Sequence, residues 1–261
     1  MLRLRFVAIT VLMVLASVAV GILAQEHGGD EPPHWTYEVG SEVGPEVWGT
    51  LSEDFALCGA GKTQSPINVV TTVPVDIADI AFDYSSSALN ILNNGHTVQV
   101  NYDAGSSISY NGTPYDLLQF HFHTPSEHTI NGEAVPMEIH FVHRDANGNL
   151  AVVGVMLTEG DADNAAYADV LANLPAEEAD VTTLDFTVSA ADMMPAEKTF
   201  YTYSGSLTTP PCSEGVRWLL LDTPVSLSAA QIAAFNAVFE LNARPVQPVN
   251  ARDVLNDTAS N

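Results

Sequence analysis

"QFHFHTPSEH", residues 119–128, places three histidines and a glutamate within ten positions of a 261-residue chain that has eight histidines in all. Apolar and polar residues alternate through its first half, the period of a strand with one buried and one polar face. On that reading Gln119, His121 and His123 point one way, and Phe120 and Phe122 the other. Two imidazoles at i and i+2 stand roughly 7 Å apart at the backbone, a span that one metal ion can close. The stretch thus implies both a fold element and a candidate metal site.

Further alternating runs support the strand reading: "HTVQVNY" (96–102), "DLLQFHFH" (116–123), "MEIHFVH" (137–143) and "LAVVGVML" (150–157). Asn-Gly turn signals at Asn111-Gly112, Asn131-Gly132 and Asn147-Gly148 punctuate them. Two helices are legible. "SLSAAQIAAFNAVFELN" (226–242) carries Ser228 and Gln231 at capping-box spacing, with Ile232, Phe235 and Phe239 along one face. "NAAYADVLANLP" (164–175) sets Tyr167, Val170, Leu171 and Leu174 on a stripe that ends at Pro175. The fold class is therefore α+β and β-dominated: a single domain on a large, mostly antiparallel twisted central sheet with short peripheral helices.

The N-terminus opens with "MLRLR" and continues as an uncharged apolar run from Phe6 to Ala24, the layout of a signal peptide. As a helix that run would be about 28 Å long, close to the roughly 30 Å of a bilayer core, so an uncleaved anchor is the alternative. Residues 25–33 read as a Gly/Pro-broken linker, 34–252 as the domain, and 253–261 as a frayed C-terminal tail. Loss of Arg3 and Arg5 with the leader leaves 6 basic against 32 acidic residues and moves the formal charge from −24 to −26. Nucleic acid is excluded as a partner, because phosphate binding needs a basic face. No membrane contact is expected unless the N-terminal segment is retained. Export predicts a periplasmic or extracellular location, where the even pair Cys58 and Cys212 favours a disulfide over a metal site.

The parity rule applied to "MEIHFVH" groups Glu138, His140 and Val142 on one face and puts His143 on the other. If this strand pairs with 116–123, His140 joins His121 and His123. Three histidines with an open fourth position suit catalytic Zn2+, whereas structural zinc takes four protein ligands. Gln119 and Glu138, each two residues from a histidine on the same face, are placed to accept ring N–H groups and orient the donor nitrogens. His128, past Pro125 and out of register, reads as structural, and His27 and His34 join no set.

Eight stretches together resemble the alpha-class carbonic anhydrases of the bacterial, exported type: "HWTYE" (34–38), "GPEVW" (44–48), "QSPINV" (64–69), "LNNGH" (92–96), "QFHFHTPSEH" (119–128), "EIHFVH" (138–143), "YSGSLTTPPCSEGVRW" (203–218) and "RPVQP" (244–248). They run in the family's order. The resemblance implies zinc on His121, His123 and His140, with Thr208 and Glu127 as a gate that orients zinc-bound hydroxide. It implies His96 as proton shuttle, so that the candidate catalytic set is His96, Glu127 and Thr208. Val142, Val152, Leu207 and Trp218 would wall an apolar pocket for carbon dioxide, with Thr209 at its mouth. The implied activity is reversible hydration of carbon dioxide to bicarbonate and a proton. The resemblance also implies a Cys58–Cys212 disulfide tethering the threonine loop, cis peptide bonds at Ser65-Pro66 and Pro210-Pro211, and a possible homodimer. Thr124-Pro125 replaces the Trp-Gly of many members, which leaves the ligands untouched.

Two rivals make different demands. "HFHTPSE" also fits the first metal motif of cupins, with Glu127 as an iron or manganese ligand, but that fold needs a later Pro-x-Gly-x-x-His and no histidine follows His143. The other rival is a non-enzymatic binding module or zinc-scavenging exported protein; carbonic anhydrase-like domains without activity are expected to have lost one or more ligand histidines, and all three are present, as are Thr208 and Glu127.

Overall fold

The computed structural model describes residues 33–258; the expected leader and nearly all of the expected linker lie outside the described residues. Ten strands form the spine of the main sheet. They are β1 (Val73–Val75), β2 (Ser87–Asn93), β3 (Val98–Asn101), β4 (Thr113–His123), β5 (Met137–Arg144), β6 (Leu150–Gly160), β7 (Ala179–Val188), β8 (Phe200–Ser206), β9 (Glu214–Ser228) and β10 (Leu255–Asp257). In space they run β7-β2-β3-β4-β5-β6-β9-β8-β10-β1, and two short strands, Ala81–Asp83 and Ser107–Tyr110, extend the sheet beside the start of β4. Pairing along the spine is antiparallel except for β6 with β9 and β10 with β1. The architecture is the β-dominated one expected.

Strand alternation divides the sheet into two working faces. Phe120 and Phe122 of β4, Ile139 and Phe141 of β5, and Val153 and Val155 of β6 enter the larger apolar core. The intervening residues turn the other way, where Val142, Val152, Met156, Leu220 and Trp218 form a second cluster under the candidate site. Burial on both faces at β4, β5 and β6 is why these strands hold their register: a slip of one residue would exchange imidazoles for phenyl rings.

Helix α1 (Ala165–Ala172) starts at Asn164, whose side chain accepts the Ala166 amide, and it buries Tyr167, Val170 and Leu171 as anticipated. Helix α2 (Ala229–Asn236) has the full capping box between Ser228 and Gln231. It is shorter than its stripe implied, and Phe239 packs against the core from beyond the helix end. The expected tail is corrected at its start: Leu255–Asp257 is β10, held between β8 and β1 by backbone pairing. Cys58 and Cys212 form a disulfide across 154 residues of sequence. Ser65-Pro66 and Pro210-Pro211 are cis, as is Thr124-Pro125, which the sequence reading left unassigned. Among the described residues no helix is long and apolar enough to cross a membrane.

Candidate active site

Pairing of β4 with β5 sets His121 opposite His140, and alternation brings His123 to the same face. One ring nitrogen from each of the three lies within 4.8 Å of the others. His143 occupies the opposite face, as parity required, and hydrogen bonds to the Tyr84 hydroxyl. Each ligand candidate is held by its outer nitrogen. His121 Nδ1 donates to Gln119 Oε1 (2.8 Å), His123 Nδ1 to the Asn242 carbonyl (2.7 Å), and His140 Nε2 to Glu138 Oε1 (2.8 Å). These three bonds fix the tautomers, leaving lone pairs on His121 Nε2, His123 Nε2 and His140 Nδ1.

Whether those nitrogens suit a metal can be tested on one atom. His123 Nε2 is fully buried without a hydrogen-bond partner among the described residues. An orphan acceptor of that kind costs stability unless something electropositive meets it. The electrostatics agree, since burial first, and then the neighbouring His123 and His140, hold the His121 imidazole well below its usual range. Burial likewise lowers His123 against the opposing pull of Glu127. Neutral imidazoles are the form that ligates a metal. The donor set fits a divalent ion that takes nitrogen ligands.

Glu138 is the hub behind the histidines. Its Oε1 accepts from both His140 Nε2 and His128 Nδ1, and its Oε2 from the His128 amide, each at 2.8 Å. Burial alone would raise this carboxyl, but the electrostatics of the adjoining His128 and His140 rings and the hydrogen bonds those rings donate override it and hold it well below the usual carboxylate range. His128, read from sequence as structural, is a buried brace: its Nε2 meets the Tyr203 hydroxyl at 2.7 Å, which in turn meets Ser65 Oγ at 2.9 Å. Gly154 lies opposite His140 on β6, and a methyl group there would come within 3.1 Å of Glu138 Oε1 and 2.9 Å of Leu220 Cδ1. The space beside the hub exists because residue 154 has no side chain.

Two lobes open from the triad. One, of about 110 Å³, is lined by His121 and His140 together with Val142, Val152, Leu207 and Trp218, with Thr208 and Thr209 at its edge. The other, of about 130 Å³, runs past Gln119 and Tyr37 to His96 and Trp35. All the site residues named from the sequence line these lobes or stand directly behind them, except the two cysteines. Those cysteines anchor the loop that carries Thr208. Gln64 Nε2 also donates to the Cys212 carbonyl, and Arg244 Nη2 to that of Cys58. Glu127 is buried, with Oε1 accepting the Arg244 amide while Oε2 has no hydrogen-bond partner among the described residues and lies 3.6 Å from His123 Nε2. It does not join the three-nitrogen group, as the cupin reading required.

Asn242 escaped the sequence reading. It orients His123 through its main-chain carbonyl, which leaves no side-chain pattern to find, while its own amide accepts from Thr124 N and donates to the carbonyls of His96 and Phe122. Tyr203 and Gly154 were equally missed. An isolated glycine within a strand run was the one available signal for the latter.

Comparison with known proteins agrees with the geometry. The family model for eukaryotic-type carbonic anhydrases matches residues 43–258. A carbonic anhydrase of Nostoc sp. is 46% identical over 228 residues, covering 85% of each chain. One from Neisseria gonorrhoeae is 42% identical over 249 residues, 95% of this chain and 96% of the relative. Among solved structures, the alpha-carbonic anhydrase from Thermovibrio ammonificans, in complex with the inhibitor sulfanilamide, superposes with a TM-score of 0.82 at 42% identity, covering 85% of this chain and 98% of that one.

Proposed function

The chain belongs to the alpha-class carbonic anhydrases, lyases that hydrate carbon dioxide, and from that premise we propose that His121, His123 and His140 hold a zinc ion and that His96 carries protons between the cavity and solvent. The observation that carries the reading is the convergence of three tautomer-locked imidazole nitrogens, of which His123 Nε2 is fully buried with no hydrogen-bond partner among the described residues. Zinc bound there would supply a Lewis acid that acidifies a coordinated water, an effect for which carbonic anhydrases are the standard case.

The protein's own groups do the rest. Gln119, Glu138 and the Asn242 carbonyl keep an N–H on the far side of each ring, so the lone pairs stay turned inward. Val142, Val152, Leu207 and Trp218 offer carbon dioxide a dry wall with no hydrogen-bond competitor. Glu127 Oε2, which no donor among the described residues satisfies, offers an acceptor for the Thr208 hydroxyl proton, and with that proton so engaged the threonine oxygen could only accept. It therefore selects a nucleophile whose single proton points at Thr208, with a lone pair turned to the apolar wall. Thr209 guards the junction of the two lobes. His96, half-buried at the far end of the polar lobe, takes a proton at its ring nitrogen through cavity waters and releases it to buffer. The disulfide and the apolar N-terminal run together support export to an oxidising compartment.

The test pairs metal analysis with a carbon dioxide hydration assay, before and after chelation. One zinc per chain and activity lost to the chelator are expected. His121→Ala should lose metal and activity together, and full activity in that variant would refute the ligand assignment. Stoichiometric zinc without hydration would instead favour a scavenging role.

A further inference from the structure

The rim around His96 contains a charged group that the mechanism so far leaves unused. His96 stacks flat on Trp35, with ring centroids 3.6 Å apart and planes at 8°. Its backbone belongs to a turn in which Asn94 Oδ1 accepts the His96 and Thr97 amides at 3.0 and 2.9 Å. Asn93 ties this turn to a distant segment: its Oδ1 accepts the Gly95 amide at 2.9 Å, and its Nδ2 donates to the Pro175 carbonyl at 3.0 Å. Ala179, at the head of β7, also pairs with Asn93. The chain from 175 to 179 is thereby fixed against the His96 turn at both ends. Between those ends stands Glu178. A methyl group built on Gly95 would lie 3.2 Å from Glu178 Oε2 and 3.8 Å from Oε1, so the carboxylate sits directly over the residue preceding His96.

We propose that Glu178 is a positioning residue for proton export, its carboxylate favouring the protonated form of His96 at the mouth of the polar lobe and so setting the pH range over which His96 hands protons to solvent. The proposal rests on the reading of His96 as the proton carrier. Only proton transfers occur: an O–H bond of a protonated cavity water breaks as the ring N–H forms, and that N–H breaks as a buffer base takes the proton. The Trp35 face adds attraction for the imidazolium. Among the described residues two titratable side chains act on the ring, His34 from the segment before Trp35 and Glu178 from the segment before β7. Burial, then His34, draws His96 down from its usual range, and Glu178 pushes it up. Tyr37 shares the lobe, and burial raises its phenol far from titration near neutrality. Without Glu178, burial and His34 would be opposed only by the Trp35 face.

The experiment follows the His96 ring by NMR titration in the zinc-loaded full chain, native and Glu178→Gln, alongside kcat against pH in dilute buffer. The Gln variant should titrate lower by roughly a few tenths of a pH unit, the size expected of an exposed, water-screened charge, and the kcat midpoint should fall with it. Glu178→Lys should move both further in the same direction, and Glu178→Asp should restore part of the native value. The change should appear in kcat rather than in kcat/KM. Unchanged or raised His96 midpoints in the Gln and Lys variants would overturn the proposal. His96→Ala separates the two claims. Its kcat in dilute buffer should fall and recover with added imidazole; a native kcat there would overturn the proton-carrier reading, while the ring titrations still judge Glu178.

Discussion

Replacing Glu138 by glutamine keeps the volume of the hub and removes its charge, and the hydrogen-bond geometry dictates the result. One oxygen of Glu138 accepts two imidazole N–H groups and the other accepts the His128 amide. A glutamine can present oxygen at only one of these positions. If its oxygen faces the imidazoles, its NH2 meets the His128 amide donor to donor. If its oxygen faces the amide, the NH2 meets His140 Nε2, which must give up its proton; the proton then moves to Nδ1, the nitrogen turned toward the metal position. Either way a fully buried donor is stranded. At about 1 to 3 kcal/mol for an unsatisfied buried group, and more where a charged acceptor is lost, apo Glu138→Gln should be destabilised by about 2 to 4 kcal/mol. Zinc affinity should fall roughly ten- to hundredfold, the usual consequence of losing the partner that orients a ligand. Urea unfolding of the apo proteins gives the first quantity and chelator competition the second. Because the native carboxyl is held low, its contribution is present above the ordinary carboxylate range and is lost as pH falls through its depressed value. The variant should lack that acid-side loss. An apo stability within about 0.5 kcal/mol of native, together with unchanged zinc affinity, would refute the accounting.

Gly154→Ala should cost about 1 to 3 kcal/mol from overpacking against Leu220 and Glu138, and should also weaken zinc binding; unfolding and chelator competition read both, and a neutral result would mean the strand can move aside. Removing the disulfide with Cys58→Ser and Cys212→Ser frees a 154-residue loop and should cost up to about 5 kcal/mol by chain entropy, with a further loss of hydration activity as the Thr208 loop loosens. Burial lowers His143 to about 3, so the unfolded chain binds a proton there that the native chain refuses. Stability is therefore full above the unfolded value of about 6.5 and falls by roughly 1.4 kcal/mol per pH unit below it. In His143→Phe the slope between pH 6 and pH 4 should be shallower by one proton, as measured by urea unfolding across that range.

Much of the site was written into strand parity. The alternation of residues 119–123 groups Gln119, His121 and His123, and that of 138–143 groups Glu138 with His140 and sets His143 apart, so that only the pairing of the two strands remained to bring both sets to one face. That signal is strong because β4 and β5 are buried on both sides, with imidazoles on one and phenyl rings on the other. Legibility fails where the contact is made by backbone or by a side chain that is missing. Asn242 works through a carbonyl, Gly154 through an absent Cβ, and β10 through ladder pairing of only three residues, so none leaves a periodic trace. The helices show another limit. Phe239 and Leu174 continue the apolar stripes of α2 and α1 past the points where the backbone leaves the helix, so a stripe records burial rather than hydrogen bonding.

The division of β4 between two environments leaves little freedom for evolutionary tinkering. Any insertion or deletion of a single residue between positions 119 and 123 would send aromatic rings toward the reaction chamber and nitrogen heterocycles into oil, so this segment can change by replacement only. An engineer seeking to graft new peptide into the molecule should look to loops such as Asp145–Asn149, where Gly148 turns in open space, rather than to the ribbon that bears the chemistry.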